Sequence, residues 1–161
     1  MTKIIAAYPC LGKTTIGNLN RDFIFDREFN ESRSIRGMSR SNKEKFFKLC
    51  ADIINLQIES GFYKYIFVTD DFEILKNISL NPSKITVIFP DASDGEAMRE
   101  YKNRVISRSG EDWFNRVLRE EVKTLQQTIE KYRKFGFDVQ LIKSGQYIGD
   151  VFEFSEEISL P

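Results

Sequence analysis

The sequence predicts an α/β fold in which a five-stranded parallel sheet lies between two layers of helices. Strand-like apolar segments alternate with helix-like segments along the chain, which is typical of a parallel sheet with helices on both faces. The run 65–68 is apolar without interruption, as expected for a strand that is covered on both sides. The length of 161 residues suits one compact domain.

The five strands are predicted from short apolar runs. They cover residues 3–7, 23–25, 65–68, 85–89 and 139–142. The second run ends at Asp26 and the fourth at Pro90, and the fifth is followed by a turn that begins at Ser144. Such residues commonly interrupt strands.

The helices are predicted from apolar residues at helical spacing. They cover residues 13–19, about 42 to 60, 72–78, 94–108, 111–135 and 147–154. We expect Asn42 to cap the second helix and Gly61 to end it, and Gly136 to end the long one. The polar residues 31–41 are expected to form a loop.

The segment between the first strand and the first helix has the spacing of a phosphate-binding loop. Four variable residues follow Ala7, which stands where the pattern has its first glycine, and Gly12-Lys13-Thr14 comes next. Backbone N–H groups of such a loop surround phosphate oxygens, Lys13 adds a cation near the terminal phosphates, and the Thr14 hydroxyl can ligate Mg²⁺. The predicted nucleotide contacts are Pro9, Cys10, Leu11, Gly12, Lys13, Thr14 and Thr15. The alternative is an ordinary strand–turn–helix with a chance lysine.

Carboxylates follow the second and third strands. Asp26, with Glu28 two residues later, could orient a nucleophilic hydroxyl or hold Mg²⁺ through water; a helix cap or a salt bridge is the alternative. Asp70 is a candidate metal residue or a cap, and Asp71 is expected to be a cap. Because right-handed crossovers bring the carboxyl ends of parallel strands to one edge, we expect these residues, the loop and Ser144 to share a site.

Two stretches of the chain are basic, although its 24 basic and 24 acidic residues give a net charge of zero. Residues 27–48 hold seven basic and three acidic residues, and residues 99–108 hold four and one. Arg104 and Arg108 are four residues apart on a predicted helix, beside Gly110. They suit closure over transferring phosphates, and a solvent-facing arginine pair is the alternative.

Composition excludes several kinds of protein. The chain has no histidine, which rules out histidine triads, histidine metal sites and histidine general bases. A net charge of zero disfavours general nucleic-acid binding. No apolar run approaches the roughly 20 residues of a membrane helix, and no secretory leader is expected. Cys10 and Cys50 lack metal-binding spacing, which favours a reduced, cytoplasmic protein.

Four segments carry a family resemblance. They are the loop 7–14, Glu100-Tyr101-Lys102-Asn103-Arg104 with Arg108 and Gly110, Trp113-Phe114, and Ser144-Gly145-Gln146-Tyr147. In them the chain resembles phosphate-loop kinases of the adenylate-kinase-like group, and more narrowly compact bacteriophage nucleotide or deoxynucleoside monophosphate kinases. The resemblance implies a P-loop nucleotide-kinase fold over residues 1–161, with an acceptor-side insertion at about 27–60 and a lid-like segment at about 94–112.

The resemblance also implies ATP and Mg²⁺ as cofactors, and it assigns roles by position. Gly12, Lys13 and Thr14 would bind the donor phosphates, and Ser144, Gly145 and Gln146 would lie against the adenine. Arg104 and Arg108 would be catalytic arginines of a lid. Asp26 would face the acceptor, and Arg33, Arg36 and Arg40 would hold an acceptor phosphate.

Three functions are consistent with these residues. The first is transfer of the γ-phosphoryl group of ATP to a nucleotide, a (deoxy)nucleoside monophosphate above all. The second is phosphorylation of a hydroxyl on a modified base, a sugar or a polynucleotide 5′ end, with Asp26 as general base. The third is a regulatory protein that binds a nucleotide without fast turnover. The oligomeric state does not follow from the sequence.

Overall fold

A computed structural model describes residues 2–29 and 37–161. Its sheet has five parallel strands, as predicted. The strands are β1 (Lys3–Ala7), β2 (Ile24–Arg27), β3 (Tyr65–Thr69), β4 (Ile85–Pro90) and β5 (Asp138–Ile142). Their order across the sheet is β2-β3-β1-β4-β5, so β1 occupies the centre.

The helices lie between these strands and after the last one. They are α1 (Lys13–Leu19), α2 (Arg40–Ser60), α3 (Phe72–Leu75), α4 (Gly95–Ser109), α5 (Glu111–Trp113), α6 (Arg119–Lys123), α7 (Leu125–Phe135) and α8 (Ile148–Val151). A short 3₁₀ turn, Pro82–Lys84, precedes β4. The right-handed rule for parallel crossovers places helices on both faces, which is compatible with a three-layer α/β/α fold.

Several predicted helix boundaries are wrong. The cap of α2 is Ser39, whose hydroxyl accepts a hydrogen bond from the Asn42 amide at 3.3 Å, so Asn42 lies within the helix. The predicted helix 72–78 ends at Leu75. The predicted last helix ends at Val151 because Phe152 and Phe154 pack against β3, through Tyr65 and Phe67. Burial of these rings outweighs another turn of helix.

The predicted helix 111–135 is divided. Residues Phe114–Leu118 form a wider π-helical turn between α5 and α6, and Thr124 separates α6 from α7. The Thr124 hydroxyl bonds back to the carbonyls of Glu120 and Glu121, a local bond that competes with the regular helix ladder. Periodicity does not reveal such interruptions, since the apolar stripe continues across them.

The core is built around the three inner strands of the sheet, β3, β1 and β4. Ile4, Ile5, Phe67 and Phe89 are fully buried. Tyr132 of α7 packs edge-on against Phe89, with 5.2 Å between the ring centres. Across the described residues, no helix is both long enough and apolar enough to cross a membrane.

The strand order determines where a site can form. The connection after β1 runs towards β2 and the connection after β4 runs towards β5, so the two leave the sheet in opposite directions. Open parallel sheets bind ligands in the crevice that such a divergence creates. The loop that follows β1 lies at this crevice.

Candidate functional site

The loop between β1 and α1 has a fixed and unusual backbone. Cys10 adopts a positive φ of 62°, and Gly12, which precedes α1, has a φ of 98°. The Tyr8 amide donates to the carbonyl of Ile88, and the Leu11 carbonyl accepts from the amide of Ile148. The loop is therefore held at both ends by neighbouring elements.

The amides of this loop have no hydrogen-bond acceptor in the part of the protein that the structure describes. Within the described residues, no backbone N–H from Cys10 to Thr15 donates a hydrogen bond to protein. Successive amides in a turn with left-handed residues make a concave anion-binding surface, and the start of the following helix adds to it. This arrangement supports the predicted phosphate contacts from Pro9 to Thr15.

Gly12 is required at its position for two reasons. Its φ lies in the left-handed region, which disfavours side chains. A Cβ atom there would also lie 3.3 Å from Cδ1 of Tyr147, which precedes α8. The glycine thus lets the loop and the segment after β5 approach each other.

The ammonium of Lys13 is the central charge of the site. Lys13 is only 6% exposed, and its Nζ lies 3.2 Å from Oδ1 of Asp26 and 3.1 Å from Oε1 of Glu28. The Thr14 hydroxyl donates to the same Oε1 at 3.3 Å. The end of β2 and the start of α1 are therefore joined by one cation, two carboxylates and one hydroxyl.

Gly17 allows this close approach. A Cβ atom at Gly17 would lie 3.0 Å from Oδ2 and 3.1 Å from Cβ of Asp26. The absence of a side chain on this turn of α1 leaves room for the aspartate beside Lys13. The sequence analysis did not identify Gly17, although its place four residues after Lys13, on the same helix face, was the available signal.

The environment of Glu28 favours its charged form. Partial burial opposes ionisation, but the Lys13 ammonium, hydrogen bonds from Lys13 and Thr14, and the more distant Arg108 outweigh that effect, so the pKa of Glu28 lies below its usual value of 4.5. The carboxylate is therefore ionised at neutral pH.

A cleft of about 180 Å³ opens in front of the loop. Besides the loop, its lining includes Glu28, Thr69, Asp70, Arg108, Ser109 and Trp113. The Arg108 guanidinium lies 3.9 Å from the Cys10 sulfur. The cleft therefore brings together the loop, Glu28, Asp70 and Arg108. Asp26 and Ser144, which were also predicted to share this site, are not among the described residues that line the cleft, although Asp26 contacts Lys13.

The structure separates the two predicted lid arginines. Arg104 does not line this cleft; it pairs with Glu100 at 2.7 Å, donates to the Gln146 carbonyl at 3.2 Å, and stacks 3.8 Å above the ring of Tyr147. Arg108, one helical turn later, is at the cleft. A catalytic role for Arg104 remains a prediction, and its contacts connect it with the turn predicted to bind adenine.

That turn is held by Glu100. One carboxylate oxygen accepts hydrogen bonds from the Ser144 hydroxyl and, at 2.7 Å, from the Gly145 amide. These bonds, led by that of Ser144, lower the pKa of Glu100, and Arg104 contributes further. The sequence analysis gave Glu100 no role, although its position four residues before Arg104 predicts their ion pair.

The acidic residues after β3 have different contacts. The Asp71 carboxylate accepts from the amides of Glu73 and Ile74 and so caps α3, as predicted. Asp70 lines the cleft, and its carbonyl accepts a hydrogen bond from the hydroxyl of Tyr132. Burial, followed by the nearby carboxylates, raises the pKa of Tyr132 well above its usual value. The metal role of Asp70 stays a prediction.

Of the three arginines predicted to bind an acceptor phosphate, the structure describes Arg40 alone. Arg40 lies at the start of α2, is largely exposed, and pairs with Glu44 at 3.0 Å; it is not among the residues that line the cleft. Arg33 and Arg36 lie outside the described residues, so their predicted contacts with an acceptor phosphate stay predictions.

The oxygen atoms near Lys13 suit magnesium. Mg²⁺ is commonly bound by one or two carboxylates together with substrate phosphates, and Thr14, Asp26 and Glu28 offer a hydroxyl and two carboxylates around one point. A cluster of three or more histidine, cysteine, aspartate or glutamate side chains that could hold a metal is absent from residues 2–29 and 37–161, so the phosphates would have to supply the remaining positions.

Comparisons with family models, curated proteins and solved structures found no match for this chain. The resemblance to nucleotide kinases therefore stays a prediction. What supports it is the geometry of the cleft: a loop of free amides, a buried lysine, carboxylates at the end of β2, and an arginine from α4.

Proposed function

We propose that this protein is an ATP- and Mg²⁺-dependent phosphotransferase with a P-loop nucleotide-kinase fold. One observation carries the proposal: Lys13 is buried, and six consecutive N–H groups, from Cys10 in the loop to Thr15 in α1, have no acceptor within the described residues. Such a surface fits the β- and γ-phosphates of a nucleoside triphosphate. We also infer a cytoplasmic location, where ATP is available and Cys10 and Cys50 stay reduced.

The residues of the cleft have distinct roles in this proposal. Lys13 and Arg108 neutralise charge on the transferring phosphoryl group, and the loop amides orient the donor. Thr14 would hold Mg²⁺, which when bound would supply further positive charge to the phosphates. Arg104 and the turn Ser144–Gln146 would position the base of ATP.

The proposed acceptor is a nucleotide, a (deoxy)nucleoside monophosphate above all, as the resemblance implies. Asp26 would lie towards this acceptor, at the end of β2. A phosphate on the acceptor needs cations, which Arg33, Arg36 or Arg40 would supply.

A second acceptor class is favoured by one specific observation. Glu28 lines the cleft, and the carboxylates of Asp26 and Glu28 both lie within 3.2 Å of the Lys13 ammonium. A hydroxyl acceptor needs a carboxylate that accepts its proton, and either residue could do this. A modified base, a sugar or a polynucleotide 5′ end would then be the substrate.

Radiolabelled ATP with a panel of acceptors tests the proposal. We expect label on a nucleoside monophosphate, and label on a hydroxyl would support the second class instead. Lys13→Met should abolish transfer, whereas Lys64→Met, which removes an exposed lysine paired with Glu157, should not. ATP binding without any acceptor-dependent turnover would indicate the regulatory function, and wild-type activity in Lys13→Met would refute the proposal.

A further inference from the structure

We propose that the carboxylates of Asp26 and Glu28 bind either the Lys13 ammonium or Mg²⁺. The ammonium is bound without nucleotide and Mg²⁺ is bound with it, so that nucleotide and metal bind cooperatively. With nucleotide bound, the Lys13 ammonium would turn to the phosphates, and Asp26 and Glu28 would then be free to hold Mg²⁺. This inference rests on the proposed function, and it adds a metal site that differs from the predicted one at Asp70.

The first argument is geometric. Nζ of Lys13 lies 3.2 Å from the Asp26 oxygen and 3.1 Å from the Glu28 oxygen, so both carboxylates are already directed at one cationic centre. The Thr14 hydroxyl is 3.3 Å from the same Glu28 oxygen. Thr14 is also the residue that a phosphate-binding loop uses for Mg²⁺, so the third ligand is in place.

The second argument is electrostatic. A triphosphate that binds the loop needs the Lys13 ammonium, which the two carboxylates hold. If the lysine moves to the phosphates, Asp26, whose side chain is 19% exposed, and Glu28, whose side chain is 42% exposed, are left facing a polyanion without a cation. Partly buried charges of one sign are costly without a counter-ion, and a divalent cation removes that cost.

The third argument is rigidity. Asp26 lies against Gly17 at a distance that leaves no room for even a methyl group, and its backbone is in the register of β2 with β3. The carboxylate is therefore unable to follow the ammonium far along the loop. A second cation is therefore needed beside Asp26 once Lys13 contacts the phosphates.

Cooperative binding follows. Without nucleotide, the ammonium blocks the metal; without metal, the carboxylates compete with the phosphates for the ammonium. Couplings between two ligands of one protein commonly amount to about 5- to 150-fold in affinity. We expect wild-type protein to bind ATP at least about tenfold more tightly with Mg²⁺ than in the presence of EDTA.

The experiment measures ATP binding by calorimetry, with EDTA and with Mg²⁺, in the wild type, Glu28→Gln and Asp26→Asn. Each amide removes one competing charge while preserving shape. We expect metal-free ATP to bind about tenfold more tightly in Glu28→Gln, and the gain from Mg²⁺ to fall to about threefold or less. Glu157→Gln is the control, because it removes the same charge from an exposed pair with Lys64. It should bind ATP like the wild type under both conditions. Because ATP also binds Mg²⁺ in solution to the same extent in every sample, a difference between Glu28→Gln and this control reports the protein site alone.

Mn²⁺ alone, followed by electron paramagnetic resonance, gives a second measurement. We expect weak Mn²⁺ binding to the wild type until ATP is added. Tight Mn²⁺ binding without nucleotide, or an unchanged gain from Mg²⁺ in both Glu28→Gln and Asp26→Asn, would overturn the inference and leave the proposed function intact. Absence of ATP binding in the wild type under both conditions would remove the proposed function and the inference together.

Discussion

Lys13 and Glu28 are joined by an ion pair of 3.1 Å, although they belong to α1 and to the segment after β2, an edge strand of the sheet. The pair links the end of the loop after β1 to the predicted acceptor side. The Lys13 ammonium is therefore paired in the structure, because it contacts the carboxylates of both Asp26 and Glu28.

Gly17→Ala tests how tightly β2 approaches α1. Alanine normally stabilises a helix interior by roughly 0.5–1 kcal/mol relative to glycine. Here its Cβ would meet Asp26 at 3.0 Å, so we expect a loss of about 1–3 kcal/mol in the free energy of unfolding, measured with urea. Gly95→Ala, at the start of α4 with no atom within 4 Å, is the control and should be neutral or stabilising. Equal effects of both changes would contradict the packing argument.

Gly12→Ala tests the loop backbone. Its φ of 98° and the Tyr147 ring at 3.3 Å both oppose a side chain, whereas at Gly61 only the φ of 62° does so. Left-handed backbone costs a side chain about 1–2 kcal/mol, so Gly61→Ala should lose about that amount and Gly12→Ala more. Adding Tyr147→Ala should recover part of the difference. Thermal and urea unfolding would show whether it does.

Arg104→Ala and Arg108→Ala should have different kinetic effects. Arg104 contacts the turn at Gln146 and the Tyr147 ring, so its loss should raise the KM for ATP about tenfold with little change in kcat. Arg108 lines the cleft, so its loss should lower kcat about 100-fold. Arg99→Ala, which removes an exposed arginine beside Glu96, is the control. Identical profiles for the two variants would argue that both act in one lid.

Stability should decrease in acid partly through Glu28. Its pKa is lower in the folded protein than the usual value of 4.5, so the unfolded chain takes up its proton first. The stabilising contribution of Glu28 is therefore complete above about pH 4.5 and is lost as the pH falls through the folded-state pKa. Urea unfolding at several pH values should give a smaller acid loss for Glu28→Gln than for the wild type, with Glu59→Gln as an exposed control. A steeper loss in Glu28→Gln would be the opposite of this expectation.

The sequence predicts the sheet and the loop well because those signals are local. An apolar run followed by Gly12-Lys13-Thr14 determines the ends of β1 and α1, and both agree with the structure. The shared edge follows from the parallel arrangement alone. The proximity of the loop and Asp70 could therefore be expected from the sequence, whereas Ser144, expected at the same place, does not line the cleft.

The contacts within the site were not predictable in the same way. The Lys13–Glu28 pair depends on how far the segment after β2 reaches across β3, which is a tertiary property. Likewise, Arg104 and Arg108 share a helix face in an ideal helix, yet their partners differ because Glu100 and Tyr147 hold only the first. Sequence spacing predicts the helix face on which a side chain lies. The residues that pack against that face determine which partners the side chain contacts.

Trp113 is the single tryptophan of the chain and it lines the cleft. Its indole emission therefore originates at the place where the phosphates and the acceptor are proposed to meet. Quenching or a spectral shift on mixing would report ligand entry in real time, without an attached dye, in the unmodified protein.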